Sequence, residues 1–118
     1  MNKDNSKIVH ELFGFKPTII PVGQTMEVFI ITPNVSSQLR RLVIPSQFNN
    51  FEIVQIQCGN YNTMSVPCMS SIFENLELLS VCPIVQPRQK ILLLVRNVKS
   101  ENDEFHAAAL LDLLYENN

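Results

Sequence analysis

The chain contains no tryptophan, only three glycines and few charges, and each shortage closes off a class of function. Charged residues make up 17% of the 118 positions, against roughly 25% in an average globular domain. Nine Lys and Arg stand against eleven Asp and Glu, a net charge of −2. That balance supplies no basic footprint for nucleic acid or an anionic membrane, so neither is expected as a partner. Gly14, Gly23 and Gly59 are isolated from one another, which excludes a glycine-rich phosphate loop. The cysteines Cys58, Cys68 and Cys82 are odd in number, which argues against a disulfide framework. Their spacings of ten and fourteen residues contain no CxxC and no Cys/His zinc pattern. Free thiols in a core, in reducing surroundings, are the simplest reading. His10 and His106 lie on or beside apolar segments, with no carboxylate pattern to orient them. No catalytic residue, metal ligand or cofactor is therefore assigned. No run reaches the roughly 18–20 apolar residues that span a membrane. The opening, MNKDNSKIVHELFGF, places polar residues where a signal peptide has its apolar centre, so secretion is not expected.

What is present is apolar residue in short runs: 46% of the chain, enough for one domain with its own core. The longest run that ends in clear turn signals is Lys90–Val98, KILLLVRNV. It reads as a central strand covered on both faces. Thr18–Val22, broken by Pro21, reads as an edge strand or bend. Met26–Thr32, Leu39–Ile44, Phe51–Cys58 and Leu76–Val81 read as further strands, and a short helical turn fits Ser71–Asn75. In Phe51–Cys58 the apolar residues change phase, from Phe51 and Ile53 to Val54, Ile56 and Cys58, which signals a bulge or a strand covered on both faces. Phe105–Tyr115 is ambiguous. Its Ala and Leu favour helix, but its odd positions form an unbroken apolar face, and strand is preferred. A polar link of about six residues would fold it back on Lys90–Val98 as a hairpin, with Glu101, Asp103 and Glu104 at a solvated tip. Arg40 and Arg41 are expected on opposite faces of their strand. The fold class that follows is all-β: an antiparallel sandwich or small barrel of about seven or eight short strands, with at most one short helix.

Two stretches, LRRLVIPSQFNNFEIVQIQCGN and PRQKILLLVRNVKSENDEFHAAALL, have a strand–turn–strand texture that resembles small β-sandwich structural proteins of viruses and phages. The resemblance covers residues 39–59 and 87–111 and includes no catalytic signature. It implies a single jelly roll or related sandwich, a capsid or capsid-associated role, and a location in a virion or in cytoplasm. Two features depart from it: the acidic, Leu-rich end Leu110–Glu116 runs on past the strand, and there is no basic arm for a packaged genome.

The expectation is thus a non-enzymatic subunit that contacts copies of itself or other structural subunits. Low charge suits either a compact domain with a polar, uncharged surface rich in Asn, Gln and Ser, or a surface covered by neighbours. Residues 1–15 would form an N-terminal arm, with polar Met1–Lys7 loose and Ile8–Phe13 either a helical turn or a docking segment; residues 16–118 would form the sandwich. Candidate contact residues are Leu12, Phe13 and Phe15 in the arm and Tyr61, Met64 and Met69 in the loops. Phe13 and Phe15 would alternatively close one end of the core. The competing reading is a small ligand- or carbohydrate-binding sandwich, which the lack of tryptophan disfavours. A third is an enzyme pairing one cysteine with a histidine. Stacking of single-stranded nucleic acid on Phe48, Phe51 and Tyr61 near Arg40 and Arg41 is a minor option at this charge.

Overall fold

The structure, a computed structural model, describes residues 6–45 and 50–116. Among the described residues it is an antiparallel β-sandwich of ten strands and one short 3-10 helix. The strands are β1 (Ser6–Gly14), β2 (Thr18–Ile20), β3 (Thr25–Ile31), β4 (Ser37–Val43), β5 (Phe51–Cys58), β6 (Tyr61–Asn62), β7 (Cys68–Met69), β8 (Lys90–Asn97), β9 (Asp103–Phe105) and β10 (Ala108–Glu116). The 3-10 helix spans Ser70–Asn75, close to the expected helical turn. One sheet has the order β1-β10-β4 and the other β3-β8-β5-β6, with β7 also on β5; β2 pairs with β9 as a short ribbon. The pairing is nested. First pairs with last (β1 with β10), then β2 and β3 with β9 and β8, then β4 with Val85 through Ser37, then β5 with β6 and β7. A paired ribbon wound back on itself in this way is the jelly-roll form of the sandwich.

Period-two alternation fills the core. On β8, Ile91, Leu93 and Val95 point inward; on β10, Ala109, Leu111 and Leu113 do; on β3, Val28 and Ile30 do. Phe51 and Phe105 meet edge-to-face with ring centroids 5.1 Å apart, joining β5 to β9 across the interior. The phase change in β5 is a bulge: its register against β8 shifts between Ile53 and Gln55, and Ile53, Ile56 and Cys58 all stay buried. β4 carries a second bulge against β10, opposite Leu110 and Leu111, so that Leu39 and Leu42, three residues apart, both face inward.

Several expectations are corrected. Ile8–Phe13 is not a helical turn; it belongs to a nine-residue strand paired along β10. Of the polar opening, residues 1–5 lie outside the described residues, while Lys7 is in β1. Phe105–Tyr115 is extended, as preferred, but it makes no hairpin with β8. Its first residue ends β9 on β2, and β10 crosses to the opposite sheet. The chain is turned at this corner by buried Asn97, whose Nδ2 donates to the carbonyls of Ile20 (2.8 Å) and Glu101 (2.9 Å) while its Oδ1 accepts from the Lys99 amide. Leu76–Val81 is not a strand. Leu78 is buried as an anchor, the amides of Val81 and Cys82 turn back to its carbonyl, and Leu76 and Val81 are exposed. The alternation there had no sheet face to match. β8 is central in its sheet, but only its inner face is sealed; Leu92 and Leu94 on the outer face are half-buried.

Gly59 turns the chain from β5 into β6 at φ +62°, and an added Cβ would meet Gln89 Oε1 at 2.8 Å. Gly14 has nothing within 4 Å of that position. Gly59→Ala is expected to lower the unfolding free energy by about 1–2 kcal/mol, and Gly14→Ala to leave it unchanged or slightly raised, as measured by urea denaturation.

Candidate interaction surfaces

The strands place three sets of chemistry-bearing side chains. The first lies on the outer face of the β1-β10-β4 sheet. His10 and Asp112 are direct register partners, and the His10 imidazole Nδ1 lies 2.7 Å from Asp112 Oδ1. The β4 bulge aims Arg40 at the same carboxylate: Nε donates to Oδ1 at 2.8 Å and a terminal guanidinium nitrogen to Oδ2 at 2.9 Å. The other terminal nitrogen pairs with Glu77 at 2.7 Å. Asp112 is only 3% exposed, yet both its oxygens are engaged, which a buried carboxylate requires. The Arg40 guanidinium holds the Asp112 carboxyl below its ordinary range, with His10 adding and burial opposing. Ile8 and Leu114 flank this cluster on one side, Leu12 and Leu110 on the other. Arg40 and Arg41 are both half-buried, and Arg41 donates to the Glu74 carbonyl.

The second set is the outer face of the other sheet. Glu27, Phe29 and Ile31 on β3 lie against Leu94, Leu92 and Lys90 on β8, and Gln55 and Gln57 on β5 continue the rows. Phe29 and Ile31 are exposed, and Lys90 Nζ sits 4.4 Å over the Phe29 ring. At the Lys90 end, Gln57, Asn60, Arg88 and Gln89 line an open cavity of about 300 Å³, and Arg88 adopts φ +65°, unusual for a side-chain-bearing residue.

The third set is the cysteines. Cys58 and Cys82 are buried and Cys68 is half-buried. The neighbouring Cys82 thiol, then burial, raises Cys58, while Cys82 is lowered by its neighbour Cys58, against burial and with help from Thr63. A reactive thiolate needs solvent access, which both lack. His106 pairs with Glu104 at 2.7 Å, and Lys99 pairs with Asp103, so two of the three carboxylates near residue 101 are engaged by cations or imidazole. Among the described residues, no three His, Cys, Asp or Glu side chains converge as a metal-holding group. No helix among them is long and apolar enough to cross a membrane.

The sequence-predicted contact residues scatter. Leu12 is 58% exposed on β1. Phe13 is half-buried and packs against the core, and Phe15, 4% exposed, belongs to it. Tyr61 and Met69 are exposed on the β6 and β7 side, and Met64 packs against the core. Phe51 is fully buried, leaving no stacking platform with Tyr61; Phe48 lies outside the described residues. The sequence reading missed the His10–Asp112–Arg40 cluster, whose members come from three distant strands. One signal was available: Leu39-Arg40-Arg41-Leu42 puts two core residues three apart in a strand, which demands a bulge. No protein-family model, curated protein or solved structure matches the chain.

Asp112→Asn is expected to cost about 2 kcal/mol at neutral pH, because Arg40 and His10 lose their charged acceptor. The folded carboxyl titrates below its unfolded value, so its stabilisation is present above roughly pH 4 and fades as the pH falls through the lowered folded value. The stability difference between wild type and variant, followed by urea denaturation from pH 7 to 2.5, should therefore shrink at the acid end.

Proposed function

We propose that this chain is a non-enzymatic structural subunit that works through protein–protein contacts with copies of itself or with other structural subunits. In this reading it is a capsid or capsid-associated component of a virion, found in the particle or in the cytoplasm where particles assemble. One observation carries the reading: both sheets turn apolar rows outward. Ile8 and Leu12 stand exposed on one face, Phe29 and Ile31 on the other. A monomer rarely leaves such rows uncovered on opposite sides. The sandwich fold alone would not justify it, since the fold hosts many functions. A low count of charged groups supports the same view.

A second reading, a domain that binds a small polar ligand such as a sugar, is favoured by the cavity beside Gln57, Asn60, Arg88 and Gln89. Its amide and guanidinium groups suit hydroxyls and anions, and Arg88 holds a strained backbone at its wall.

Light scattering on a sizing column separates the two. The assembly reading expects a discrete multiple of 13.5 kDa that grows with concentration. A monomer at every concentration, with a melting temperature that rises on adding a mono- or disaccharide, would replace it with the ligand-binding reading.

A further inference from the structure

We infer that β3 is a self-pairing edge: two copies of this chain join antiparallel along Thr25–Ile31, making one continuous sheet across a two-fold axis near Val28. This rests on the assembly reading above and names the partner and the contact.

Among the described residues, β3 pairs with β8 alone, so its other side offers backbone donors and acceptors. An open edge of this kind recruits another strand unless it is blunted. β3 is not blunted. It contains no proline or lysine and has a single charge, Glu27, in seven residues.

Charge selects a second copy as the occupant. On the outer face, Glu27 lies toward the start of β3, while Lys90, paired with Ile31, lies at its far end and leans over Phe29. Phe29, Leu92 and Leu94 fill the space between. An antiparallel two-fold at Val28 sets Glu27 opposite Phe29 of the second copy, beneath that copy's Lys90, and the reverse contact follows by symmetry. Two carboxylate–ammonium pairs then close over a shared apolar patch. Within one chain the two backbone positions are four residues apart along the strand direction, about 13 Å, and Lys90 Nζ sits over the Phe29 ring rather than on Glu27. On the outer face of β1 and β10, by contrast, the charged groups His10, Asp112 and Arg40 cluster in the middle and already pair internally.

The test is sedimentation velocity of the full chain across a concentration series, for wild type, Glu27→Lys, Lys90→Glu and the double exchange. Each single variant puts like charges together at both symmetric contacts and should weaken association about tenfold or more. The double exchange should recover most of that loss, because the pair is remade only between copies. Both positions are exposed, so unfolding curves should stay close to wild type. Amide hydrogen exchange gives an independent readout: β3 amides should slow as the wild type is concentrated. If the wild type associates but all variants match it and β3 exchange is independent of concentration, the β3 contact is overturned and the assembly reading stands. Loss in both singles without recovery in the double overturns the opposed-charge register. A 13.5 kDa monomer throughout overturns the contact and, with it, assembly from copies of this chain alone.

Discussion

A sandwich has one interior, and each of its long strands must keep its apolar side turned to it. Alternation does this automatically until a strand has to bend, and a bend without correction would turn the following core residues to solvent. The bulges in β4 and β5 are the correction. In β5 the inserted step keeps Phe51 and Ile53 buried on one side of it and Ile56 and Cys58 on the other. In β4 the same device saves Leu39 and Leu42 and, as a by-product, directs Arg40 onto Asp112. Core packing and the polar cluster on the outer face are thus two consequences of one backbone adjustment.

The cluster also accounts for a buried carboxylate in a strand whose other residues from Ala108 to Leu114 are all apolar. β10 lies between β1 and β4, so Asp112 is hemmed in from both sides and loses its water. The two bonds from Arg40 and the one to His10 stand in for it. The result links three strands of one sheet through side chains in addition to their ladders. The opposite sheet has the Glu52–Arg96 pair at 2.6 Å, which ties β5 to β8, while β3 is held by its ladder, by Val28 and Ile30 in the core and by Lys90 over Phe29.

Much of the fold was legible from residue order. β3, β5 and β8 are short apolar runs with turn residues at their ends, and the phase change at Val54 marks its bulge. β10 could be read as a strand because its odd positions match the core face despite helix-favouring Ala and Leu. Misreadings arose where local pattern and distant pairing diverge. β1 has no alternation strong enough to outvote its glycine end and becomes a strand only because β10 lies beside it. Leu76–Val81 alternates by accident around one anchor, Leu78. The assumed hairpin between β8 and β10 followed the rule that neighbours in sequence pair; the Asn97 corner sends the chain to the other sheet instead. His10, Arg40 and Asp112 carry no shared spacing, so their meeting could not be read before the topology was known.

The nesting of first strand with last has a consequence in time. His10 and Asp112 are 102 positions apart along the chain, and β1 has no ladder partner until β10 has been made. Pairing dominated by such distant contacts places this chain among slow-folding topologies. During synthesis the innermost turn of the ribbon, β5 with β6 and β7, can form first, and the outer pairs then close around it in reverse order of their appearance. Until the last of them closes, Ile8 and Leu12 belong to an extended apolar segment open to any strand that passes, including that of a neighbouring nascent chain.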